Sequence, residues 1–118
     1  FAPIAGYSAF GSYTGNNSAD GPFVYLGFKP KFVLIKDTGT VGNWWIGDGT
    51  RSTYNVVSES LLPNLSNAES SAYNECDFLS NGFKWRANNA NSFPNNVSGN
   101  TYIYMAFAEN PFKTSLAR

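Results

Sequence analysis

Residues 23 to 48 constrain this chain more than any other stretch. They hold three short apolar runs, Phe23-Val24-Tyr25-Leu26, Phe32-Val33-Leu34-Ile35 and Trp44-Trp45-Ile46. Gly27 to Pro30 and Asp37 to Asn43 cut these runs apart. Runs of three or four residues rich in β-branched and aromatic side chains, between Gly, Pro, Asn and Asp clusters, are too short for helices and predict consecutive strands with tight connections. Phe32 to Ile35 is apolar without a break, which predicts a strand buried on both faces. Pro30 holds Lys29 in an extended conformation and marks the start of that strand.

The rest of the chain repeats the pattern. Tyr7 to Thr14 alternates apolar with small polar residues, as a strand with one wet face does. Phe83, Trp85 and Ala87 alternate with Lys84 and Arg86, and Thr101 to Glu109 places Ile103, Met105 and Phe107 opposite Tyr102, Tyr104, Ala106 and Ala108. Asn67 to Tyr73 has the makings of one helical turn, with too few apolar positions for a full helix. Asn88 to Gly99, with five asparagines and a proline, reads as a long polar loop. The expected fold is all-β: a single antiparallel β-sandwich over residues 1 to 118, with seven or more strands and no long helix. The similarity between Phe107-Ala108-Glu109-Asn110-Pro111 and Phe1-Ala2-Pro3 suggests a repeated domain of a longer protein.

Composition excludes several functions. Lys and Arg total eight, Asp and Glu eight, and the basic residues form no stripe, so nucleic-acid binding is not expected. No apolar stretch approaches the length of a membrane span, so membrane insertion is not expected either. There is no histidine, which removes the commonest general base and transition-metal ligand. Cys76 is the single cysteine and has no imidazole to activate it, so a small buried side chain is expected there. No phosphate-binding glycine loop occurs. The eight acids form no spaced pair of the kind that holds two carboxylates about 5 to 10 Å apart for glycoside hydrolysis. A calcium site from Asp20, Asp48 or Asp77 finds no supporting spacing. No enzyme activity, cofactor or metal is expected.

Candidate binding residues come from aromatics and the polar groups beside them. Trp44 and Ile46 share a face and Trp85 is in phase with Phe83, so these are assigned to the core. Trp45 points the other way and is the expected exposed platform, with Tyr54 and Phe93 in loops. Asp48 and Arg51, just after the Trp strand, read either as a polar ligand anchor or as a charged pair fixing the loop from Gly49 to Tyr54. With Asn91 from the Asn-rich loop, the candidate ligand-binding set is Trp45, Asp48, Arg51, Tyr54, Asn91 and Phe93.

Several segments in order carry a resemblance. They are Gly11-Ser-Tyr-Thr-Gly-Asn16, Asp20-Gly-Pro-Phe-Val-Tyr-Leu-Gly-Phe-Lys-Pro-Lys-Phe-Val-Leu-Ile-Lys36, Asn43-Trp44 with Asp48 and Arg51, Asp77-Phe-Leu-Ser-Asn-Gly-Phe-Lys84, and Asn96 to Phe112. Over nearly its whole length the chain resembles a domain of unknown function common in virion proteins of tailed bacteriophages. The resemblance implies a concanavalin-like, lectin-like β-sandwich (a jelly roll) at the virion surface, in a tail fibre, head fibre or capsid decoration. It implies partners that are copies of itself or other virion proteins, with host-surface glycan as the alternative ligand. It also implies a C-terminal domain ending in Phe112 to Arg118, and it supplies no catalytic residues. Trp85 and Trp45 depart from that pattern, standing where an aliphatic and a β-branched residue are expected.

Overall fold

The computed structural model describes residues 1 to 71, 75 to 88 and 95 to 112. Eight strands occur in this order: β1 Ser8–Thr14, β2 Phe23–Tyr25, β3 Pro30–Asp37, β4 Trp45–Asp48, β5 Ser60–Leu61, β6 Cys76–Leu79, β7 Gly82–Trp85 and β8 Thr101–Ala108. There is no helix among the described residues. Residues 67 to 71 are non-helical, with Ser70 bridged to Ser60; the end of the expected turn, at Tyr73, lies outside the described residues.

A five-stranded sheet in the order β1-β8-β3-β4-β5 packs against a three-stranded sheet in the order β2-β7-β6. Every pairing is antiparallel. The chain is thus an all-β sandwich. Only β3 and β4 of the 23-to-48 stretch are hydrogen-bonded neighbours; β2 belongs to the opposite sheet, so the break at Gly27 to Pro30 is a crossing between layers. Gly27 has a φ of +79°, a left-handed conformation that glycine adopts without strain.

Aromatic side chains from both sheets meet in the core. Trp45 of the large sheet and Trp85 of the small one lie 5.3 Å apart between ring centroids, edge to face. Tyr13 stacks on Tyr102 at 5.0 Å and meets Phe83 edge-on at 6.0 Å. Val33, Ile35, Val57, Phe78, Cys76 and Ala106 fill the remainder. Cys76 is solvent-inaccessible, and burial pushes its thiol well above the usual range, so it is a structural and unreactive group.

The expected phase of the Trp strand is reversed. Register pairs Ile35 with Trp45 and Val33 with Gly47, so Trp45 and Gly47 face the core while Ile46 and Asp48 face outward. Trp45 is fully buried and Trp44 is 37 % exposed. Gly47 makes this possible. A Cβ there would stand 2.3 Å from the Trp45 Cη2 atom, so the indole lies across a position that must lack a side chain.

The expectation that Phe32 to Ile35 is buried on both faces also needs correction. Val33 and Ile35 are solvent-inaccessible, whereas Phe32 and Leu34 are only half-buried. Among the described residues no second layer covers the outer face of the large sheet, where only the Phe1 and Tyr7 rings lie beside Phe10 and Phe107. This is why the alternation reappears in the structure although the sequence is apolar throughout.

Candidate functional site

Between β4 and β5 the chain forms a loop, residues 49 to 59, built by its own polar groups. Asp48 Oδ1 accepts the backbone N–H of Thr50 and of Arg51, both at 2.9 Å, and Oδ2 accepts from Arg51 Nε. Arg51 Nη1 donates to Glu69 at 2.7 Å. Partial burial alone would raise the Asp48 carboxyl, but these donors outweigh it and hold its pKa below the usual carboxylate range. Ser52 is buried, donates its hydroxyl to Glu59, and accepts from the N–H of Ser58 and Glu59. Asn55 clamps β6 by exchanging both amide hydrogen bonds with the backbone of Phe78, at 2.9 and 2.8 Å.

This loop walls a polar cleft of about 230 Å³ with the ends of β3 and β8. Lys29 and Glu109, 3.2 Å apart, form one side, and Ser52, Thr53 and Asn55 form another. Tyr54, 86 % exposed, stands at the rim. A pocket of this kind offers an ammonium, a carboxylate and hydroxyls beside one free aromatic face. Among the described residues no cluster of three or more His, Cys, Asp or Glu side chains is placed to hold a metal.

The predicted site residues therefore separate. Tyr54 lies at the cleft. Asp48 and Arg51 sit behind it, committed to their own loop and to Glu69, which is the structural role for that pair. Trp45 is a correction: it is in the core against Trp85 and offers no surface for stacking. Asn91 and Phe93 lie outside the described residues. The described end of the Asn-rich loop is structural. Asn96 is buried, accepts the N–H of Asn16 at 2.8 Å, and donates to the carbonyls of Ser18 and Ala87. Sequence reasoning missed Lys29 and Glu109, which are 80 residues apart and meet only because β3 pairs with β8.

A second surface is larger. On the outer face of the large sheet Phe10, Met105, Leu34, Ile46 and Leu61 are cross-strand partners in register, one from each of the five strands. All five are half-buried. Phe32 and Phe107 extend this row on one side, and Ile103, 44 % exposed, on the other. At the far edge Trp44, Leu34, Ile46, Pro63 and Asn64 line a shallow groove of about 290 Å³.

Comparison with known families places the chain. The model of the family described as Domain of unknown function (DUF7483) matches residues 1–111. The chain belongs to this family. The DUF7483 match takes in all eight strands, the cleft and the apolar sheet face. No curated protein and no solved structure matches the chain.

Proposed function

We propose that this domain is a non-enzymatic structural component of a tailed-phage virion surface, in a tail fibre, head fibre or capsid decoration, acting in assembly and host-surface presentation. Its partners are copies of itself or other virion proteins. The observation that carries this reading is the apolar row Phe10–Met105–Leu34–Ile46–Leu61 across a sheet face that, among the described residues, is covered only at its Phe10 end by the Phe1 ring. With strands about 4.8 Å apart and residues rising about 3.4 Å, the face measures roughly 500 Å². Two such faces packed together bury about 1,000 Å², the size at which specific interfaces begin. Resemblance to virion proteins supports the location. Light scattering of the wild type and of Met105→Lys tests the assembly role. Association that the lysine abolishes, with the circular dichroism unchanged, is expected; masses that Met105→Lys leaves unaltered count against a role for this face. Immunogold labelling of phage particles carrying the parent protein tests the location.

A second reading is a carbohydrate-binding module that recognises host-surface glycan. Tyr54, exposed beside Lys29, Thr53, Asn55 and Glu109, favours it, since a flat ring beside hydrogen-bonding groups suits the two sides of a sugar. Glycan-array binding that disappears in Tyr54→Ala would support this reading; an array blank for the wild type would remove it.

A further inference from the structure

The edges of the two sheets are not equally protected. β6 is closed at its outer side by the Val57–Cys76 bridge and by the Asn55 clamp on Phe78. β5 is two residues long and is closed by the Ser60–Ser70 bridge, and β2 is three residues long. β1 is seven residues long and carries no charge and no proline, and its ladder with β8 runs without a bulge. Those are the devices by which proteins usually blunt an exposed edge, and along β1 only the first residue is covered, by the Ile4–Ser8 bridge, with the Phe1 ring stacked on the Phe10 side chain beside it.

Hydrogen-bond parity identifies which backbone groups lie on that edge. One residue beyond each end of the β1–β8 ladder, Ala108 N–H donates to Tyr7 C=O at 2.8 Å and Gly15 N–H to Asn100 C=O at 3.0 Å. In an antiparallel ladder the bonded positions alternate, so Ala9, Gly11 and Tyr13 face β8 while Ser8, Phe10, Ser12 and Thr14 face away. The Ser8 N–H and C=O are both taken by Ile4, at 3.0 and 3.2 Å. Beyond Thr14 the chain leaves the edge, with Asn17 N–H bonded to Asn96 C=O. The open edge is therefore Phe10 to Thr14, centred on Ser12, and among the described residues no backbone partner reaches its outward groups.

We propose that this edge pairs with β1 of a second copy, antiparallel and two-fold symmetric about Ser12. Phe10 then lies opposite Thr14 of the other copy and Ser12 opposite Ser12, and each of the three pairs exchanges both N–H···O bonds. Two five-stranded sheets become one continuous sheet, and the apolar row of each copy extends towards the other. The open segment has the symmetry the pairing needs: it ends at the Ile4 turn on one side and at the departure of the chain on the other, equally far from Ser12. At the axis itself stand two small hydroxyl side chains.

This contact is independent of the apolar face. A five-residue edge buries less than a standard interface, so a concentration-dependent dimer is expected. Amide exchange by NMR, read with light-scattering mass up to about 1 mM, tests it. The amides of Phe10, Ser12 and Thr14 exchange quickly when dilute and slow by tenfold or more on concentration, while those of Ala9, Gly11 and Tyr13 stay protected throughout. Ser12→Pro spares the β1–β8 ladder, because the Ser12 N–H takes no part in it, and abolishes the concentration-dependent protection at Phe10 and Thr14. Ser12→Lys does the same with the backbone intact by setting like charges across the axis. Met105→Lys leaves this protection in place, which separates the edge from the face. A mass of 12.9 kDa at every concentration overturns the proposal. So does association in which Phe10 and Thr14 remain unprotected, which would assign the contact to the sheet face instead.

Discussion

Glu75 is solvent-inaccessible just before β6, and neither carboxyl oxygen has a hydrogen-bond partner among the described residues. Its backbone is fixed on both sides, the N–H to Val57 C=O and the C=O to Arg86 N–H, so the side chain is held inside. Burial without a compensating cation raises its pKa from 4.5 to about 8. The folded chain therefore keeps a proton that the unfolded chain releases above pH 4.5. Below that pH both states hold the proton and nothing is lost. Between 4.5 and 8 each pH unit removes about 1.4 kcal/mol of stability, and above 8 the loss levels off. From pH 5 to pH 8 the loss is of order 3 kcal/mol. Glu75→Gln keeps the shape and cannot ionise, so it should abolish this dependence. Urea unfolding of both proteins at pH 5 and pH 8 measures it, with the variant's advantage growing by about 3 kcal/mol at the higher pH. No histidine titrates in this window to confuse the comparison. An advantage equal at both pH values would refute the reasoning and mean that the carboxylate is ionised and compensated in the folded protein.

Trp45→Ala should cost about 3–5 kcal/mol in urea unfolding, whereas Trp44→Ala should cost far less, since only the first indole is enclosed. Asp37 is buried and accepts from Thr40, Asn100 and the N–H of Gly39 and Thr40; these donors overcome the effect of burial and lower its pKa. Its contribution is present above the unfolded pKa and lost as pH falls through the lower folded value, so Asp37→Asn should destabilise by about 1–3 kcal/mol at pH 7 and flatten the acid limb of the stability curve. Tyr54→Ala should change stability by less than about 0.5 kcal/mol, because the ring is exposed.

The sandwich was legible because short runs and turn clusters are local signals. Phe83 and Trp85 face the core as their alternation with Lys84 and Arg86 requires. The phase of Trp44-Trp45-Ile46 was not legible from hydrophobicity, since all three residues are apolar and either face could be buried. The informative residue was Gly47, two positions from Trp45 and on the same face, whose missing side chain makes room for the indole. Asp48, in phase with Ile46, pointed the same way. The cleft depended on a non-local pairing: Lys29 and Glu109 have no relation in sequence until β3 lies beside β8. The open edge at β1 lies beyond side-chain pattern altogether, because it is a property of backbone direction and of what happens to pack nearby.

The Trp45–Trp85 pair has an optical consequence. One indole belongs to each sheet, at a centroid separation of 5.3 Å and an interplanar angle of 61°. Two chromophores so close and so inclined share their excited states and give a paired positive and negative band in circular dichroism. Each sheet places one indole in the core, so the couplet of this pair reports the distance between the layers rather than the integrity of either. The protein carries its own ruler across the core, and a state in which the sheets persist but have separated would be visible without any added label.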